Sequence, residues 1–160
     1  MTEYYQVDQG IRSIPWLHPL DENALDCLRQ FSRIIHLEPG NTLFNEGDKE
    51  DYLYILLEGR ISLEMNVPNR GRANILTAEP FDIIGWSSVT PVIRQRTATA
   101  TTISPATLLA LDANKLRQLC DEDNTIGYIF MHRIANIIAM RLLVTRLQLV
   151  DLLSKLPQST

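Results

Sequence analysis

The stretch DYLYILLEGRISLEM, residues 51–65, decides the architecture. An apolar run ends at Glu58-Gly59, after which Ile61, Leu63 and Met65 alternate with Ser62 and Glu64. A period of two is the pattern of a half-buried strand, and the polar pair before it marks a tight turn. Working outward, Asn45-Glu46-Gly47-Asp48 and Pro68-Asn69-Arg70-Gly71 are further turn signals. Residues 96–102 alternate Thr and Ala, and residues 107–111 read as another strand. From Thr42 to about Asp112 the spacing predicts about seven or eight short strands, which suits a sandwich, roll or barrel.

Helical patterns flank this region. Residues 15–37 are predicted helical, because Leu20, Ala24, Leu25, Leu28, Phe31 and Ile35 recur at steps of three and four behind Asp21-Glu22. Pro39-Gly40 ends that pattern. Beyond the strands, Asp112 is a candidate N-cap for a short helix through Leu119. Asp123 or Asn124 is a candidate cap for a long helix over about residues 125–155, ending before Pro157.

The long helix carries a heptad stripe: Ala135, Ile138, Leu142, Thr145, Leu149, Leu152 and Leu156. Phe130, Ile134, Ile137, Met140, Val144 and Leu147 form a second apolar face beside it. Two apolar faces need two covers, and 160 residues leave little other protein for the second. A homodimer through Ile138, Leu142, Thr145, Leu149 and Leu152 is the economical arrangement. Burial of both faces within a monomer is the arrangement it competes with.

Composition narrows the function. Hydrophobic residues make up 45% and charged residues 21%, as expected of one globular domain. The formal net charge of −4 argues against a nucleic-acid partner, which requires a concentrated basic face. The opening MTEYYQVDQGIRS has no basic start followed by an apolar run, and no apolar stretch reaches the roughly 18 residues of a membrane span. The chain is therefore expected to be cytoplasmic and not membrane-bound. Cys27 and Cys120 have no metal-ligand spacing around them, and His18, His36 and His132 are scattered. Neither a metal site nor an enzyme is expected.

Pro39-Gly40, Phe44 followed by Glu46-Gly47-Asp48, the run YILLEGRISL, and Gly85 with Arg96-Thr97-Ala98 together resemble the cyclic nucleotide-binding domain of the catabolite-activator (cAMP receptor protein-like) superfamily. The resemblance covers about residues 14–153. It implies a mainly β fold with flanking α: a double-stranded β-helix, or jelly-roll-like β-roll, with an N-terminal helix and a long C-terminal helix. The domain is expected over residues 14–155, with the roll at about 38–112 and an N-terminal extension at 1–13.

The same resemblance implies a phosphate cassette over residues 81–98. Gly85 would let the backbone approach, Trp86, Ser87 and Ser88 would open a short helical turn, and Arg96 with Thr97 would meet a cyclic phosphate. Read without it, Arg96 is an exposed strand arginine beside Arg94, and the serines are ordinary turn caps. Thr145 and Arg146 fall where the family contacts the base. The family places a glutamate after the cassette glycine to accept from the ribose 2′-hydroxyl; here the residue is Trp86, whose indole has no acceptor.

The expected ligand is cyclic AMP, cyclic GMP or a related small phosphate, with no cofactor. The alternative is a ligand-free dimerising adaptor with a degenerate pocket. Ligand binding would move the long helix, for a protein output partner of unknown identity to read. Activators of this family carry a helix-turn-helix after that helix; only Pro157-Gln158-Ser159-Thr160 follow here, and the chain starts at Met1. The expectation is thus a stand-alone sensor without DNA binding.

Overall fold

The computed structural model describes residues 2–49, 51–90, 93 and 95–156. Its centre is β3 (Tyr52–Glu58) paired antiparallel with β8 (Ala106–Asp112). Their side chains point alternately into two cores, as a strand's period of two requires. Tyr54, Leu56, Leu108 and Ala110 point into the roll, where they meet Phe44, Ile61, Leu63 and Ala100. Leu53, Ile55, Leu109 and Leu111 point to the other face and pack against helices. The continuous apolar runs in both strands thus reflect burial on both faces.

Around this pair the chain forms two four-stranded antiparallel sheets. One has the order β1-β8-β3-β6 and the other β2-β7-β4-β5. The remaining strands are β1 (Ser32–Leu37), β2 (Thr42–Phe44), β4 (Ile61–Val67), β5 (Gly71–Ala78), β6 (Ile83–Ile84) and β7 (Thr99–Thr102). The architecture is the expected mainly β roll with flanking helices. The turn between β3 and β4 requires Gly59: its φ is +90°, and a Cβ there would lie 2.2 Å from the carbonyl oxygen of Pro105.

Residues 15–37 are not one helix. Pro15–Leu17 form a 3₁₀ turn, and α2 covers only Glu22–Arg29, capped by the Asp21 carboxylate accepting from the Ala24 amide at 2.8 Å. Residues 32–37 then pair with β8 from Ser32↔Leu111 to Leu37↔Ala106. Ile34 packs toward the helices, while Ile35 and Leu37 pack on the roll. The β-branched pair Ile34-Ile35 suits a strand, and the open edge of β8 supplies the hydrogen bonds.

Residues 2–13, expected as an extension, form the helix α1 (Thr2–Ser13), with Val7 and Ile11 buried in the helix-side core. Arg29, buried at the end of α2, ties α1 down by an ion pair to Asp8 at 2.6 Å, and it also pairs with Glu22 at 2.8 Å and with Asp26 on its own helix.

At the other end, α3 (Ala113–Glu122) starts at Asp112, whose carboxylate accepts from the Lys115 amide. The long helix α4 (Asn124–Ser154) starts at Asp123, whose carboxylate accepts from the amides of Thr125 and Ile126. Ile126, Phe130 and Ile134 bury its first half against the domain. From Leu142 onward both of its apolar faces are largely exposed.

Candidate functional site

The site begins where β6 ends. Gly85, at φ +77°, turns the chain into a 3₁₀ segment, Trp86–Val89. The Ser88 hydroxyl donates to the Gly85 carbonyl at 2.8 Å, and Arg117 donates to the Ser88 carbonyl at 3.0 Å. Ser87 and Ser88 are buried, so this turn is held from within.

Arg96 is buried, not an exposed strand arginine; Arg94 lies outside the described residues. The Arg96 guanidinium turns into the roll. Nη1 donates to the Gly85 carbonyl at 3.2 Å and Nη2 to the Tyr52 carbonyl at 2.6 Å. The guanidinium lies over the Phe44 ring at 4.3 Å and near the Tyr54 ring at 5.6 Å, close enough for cation–π attraction. Position 85 favours glycine, because its φ is left-handed and a Cβ there would stand 2.0 Å from Arg96 Nη1 and displace the guanidinium.

The space left beside this arrangement is small. The cleft lined by Gly85, Trp86, Ser87, Arg96 and Thr97 holds about 20 Å³. A single water needs about 10–15 Å³, so the expected phosphate seat has room for about one water and none for a phosphate.

A larger cavity, about 200 Å³, opens next to it between the roll and α4. Trp86, Thr97 and Ala98 line it from the cassette side, and Leu63, Met65 and Leu76 from β4 and β5. The long helix contributes Arg141, Val144 and Thr145. The structure therefore brings Trp86 and Thr97 together with Thr145 around one cavity. Thr145 is exposed and donates its hydroxyl to the Arg141 carbonyl at 2.8 Å. Arg146 is exposed and lines none of the described cavities.

Sequence reading missed Arg141. It lies one helical turn before Thr145, a spacing that places both on one face, and that was the available signal. It lines the larger cavity and the small cleft alike. Its side chain makes no hydrogen bond or ion pair with the described residues, and Nε is fully buried. Burial lowers its pKa from the ordinary arginine value, while the charge of Asp82 acts in the opposite sense.

The anchoring of α4 adjoins the site. Phe81, at φ +72°, presents its carbonyl to Trp16 Nε1 at 3.0 Å and to Arg133 Nη2 at 3.1 Å. Arg133 also reaches Asp82 at 3.3 Å. The first two residues of the cassette thus hold both the N-terminal segment and the first half of the long helix. No group of metal-ligating side chains occurs among the described residues, and no described helix is long and apolar enough to cross a membrane.

Residues 34–123 match the cyclic nucleotide-binding domain. The chain belongs to the cyclic nucleotide-binding domain family. It is 29% identical over 135 residues to the CRP-like cAMP-activated global transcriptional regulator of Mycobacterium tuberculosis, an alignment covering 84% of this chain and 58% of the relative. The match thus spans little more than half of that regulator's length.

Among solved structures, the N-terminal domain of a transcriptional regulator from Streptomyces coelicolor is 28% identical with a TM-score of 0.64, covering 81% of this chain and 90% of that one. A cyclic nucleotide-binding domain from Methylobacillus flagellatus, 20% identical, has a TM-score of 0.72 and covers 98% of this chain and 85% of its own. That likeness supports the β-roll fold.

Proposed function

We propose that this cyclic nucleotide-binding domain is a regulatory sensor. It takes a cyclic nucleotide or a related small phosphate between the roll and α4, and occupancy repositions the helix. The observation that carries the reading is the cavity in which Trp86 and Thr97 of the cassette meet Arg141 and Thr145 of the long helix. A ligand there touches both bodies at once, so its binding energy favours the arrangement in which they close on it. The exposed second half of α4 pairs with a second copy, and an output partner reads the movement. None of these steps makes or breaks a covalent bond, so the proposed role is binding, not catalysis.

The reading predicts that cyclic AMP, cyclic GMP or a cyclic dinucleotide at millimolar concentration raises the thermal midpoint. A ligand at a hundred times its Kd adds about 2.7 kcal/mol of stability. For a chain of this size that is a rise of roughly 5–10 °C. Flat melting curves with all of these ligands would sink the cyclic-nucleotide form of this reading and favour a dimerising adaptor with a degenerate pocket. The observation favouring that second reading is the engagement of Arg96 with the carbonyls of Gly85 and Tyr52.

A further inference from the structure

Three properties of the cavity bear on what it takes. Its walls are mostly apolar, and none of the described residues lining it is acidic. Its volume, about 200 Å³, is below the roughly 300–1,000 Å³ of sites that enclose drug-sized ligands. Its one charged lining residue is Arg141, whose guanidinium finds no hydrogen-bond or ion-pair partner among the described residues. A partly buried guanidinium with apolar neighbours is stabilised by an anion that brings its own acceptors. Trp86 offers a flat face and one N–H, and nothing in the lining offers a carboxylate to a sugar hydroxyl.

We infer that the ligand is a compact acid with a flat apolar body: its phosphate or carboxylate meets Arg141, its body lies against Trp86, and a ribose 2′-hydroxyl contributes nothing. This rests on the sensing role proposed above and narrows the chemistry of that same cavity. Arg141 is the specificity-determining group, while Arg96 braces the cassette by holding the carbonyls of Gly85 and Tyr52 together.

Isothermal calorimetry with four probes tests it: phenyl phosphate, 1-naphthoate, cyclic AMP and 2′-deoxy cyclic AMP, against the wild-type chain and Arg141→Gln, Arg141→Lys and Trp86→Glu. Phenyl phosphate and 1-naphthoate are expected to bind the wild type, and to bind Arg141→Gln about tenfold to hundredfold more weakly, the loss of one charge-assisted hydrogen bond. Arg141→Lys should recover part of that loss. Because Arg141 donates to no described residue, Arg141→Gln should keep the wild-type unfolding transition, which separates lost binding from lost folding. Cyclic AMP and its 2′-deoxy form should bind the wild type equally. In Trp86→Glu the aryl acids should weaken and the ribose form should gain over the deoxy form.

Aryl acids that bind Arg141→Gln as tightly as the wild type would remove Arg141 from the site. Binding of cyclic AMP at least tenfold tighter than its deoxy form, or with no binding of either aryl acid, overturns the ligand class and leaves the sensing role standing. Silence from all four probes overturns the sensing role itself.

Discussion

At the scale of single residues, the cassette turns on the pair Gly85 and Arg96. The guanidinium occupies the space where any other residue at 85 would place its Cβ, and the backbone there is left-handed. Gly85→Ala therefore meets two penalties, a strained φ worth about 1–2 kcal/mol and displacement of Arg96 from its carbonyl partners. The expected outcome is a loss of at least about 1–2 kcal/mol in urea unfolding. A variant as stable as the wild type would mean that Arg96 has another low-energy position. The grouping of Gly85, Trp86 and Arg96 around one cleft was legible in the sequence from spacing and resemblance. The direction of the Arg96 side chain was not, because its partners are Tyr52, 44 positions earlier, and Gly85, 11 positions earlier.

At the scale of elements, boundaries set by local chemistry could be read and those set by pairing could not. Asp112 and Asp123 cap the two C-terminal helices as the sequence predicts, since an N-cap needs only its own next three residues. Asp123→Ala removes the acceptor for two helix amides and is expected to cost about 1 kcal/mol, within 0.5–2, in chemical denaturation. A change below a few tenths would show that water replaces the carboxylate. Residues 32–37 are the counter-example. Phe31 and Ile35 continue the spacing of the α2 face, yet the chain leaves the helix after Arg29 to fill the edge of β8. Six residues of ladder pairing outweigh a weak helical preference.

At the scale of the whole molecule, α4 is the element that joins site to surroundings. Its first half is fastened by Phe130 against Trp16, ring centroids 5.3 Å apart, and by Arg133 at the Phe81 carbonyl. Its second half leaves Leu142, Leu149 and Leu152 more than half exposed. The cavity lies at the junction, so a bound anion at Arg141 and Thr145 touches the helix where it leaves the domain. The proposed dimer pairs the exposed halves. Leu142→Glu then places like charges opposite each other in the seam and is expected to sediment as a monomer where the wild type sediments as a dimer. A monomeric wild type refutes the pairing directly.

The cassette on which the proposed sensing role depends separates what each level decided. The sequence by itself determined the two-residue alternation of the strands, the turns, the helix caps and the double apolar face of α4. Each of these is written in residue types and in spacings of a few positions. Only the tertiary structure decided that residues 32–37 form a strand and that residues 2–13 pack as a helix. It also decided that Arg96 faces the roll interior, and that Arg141 stands over an apolar cavity without a partner among the described residues. The physical reason is common to all four: burial and hydrogen-bond partners come from segments distant in sequence, and a side chain's direction follows where the remaining chain leaves it something to bond.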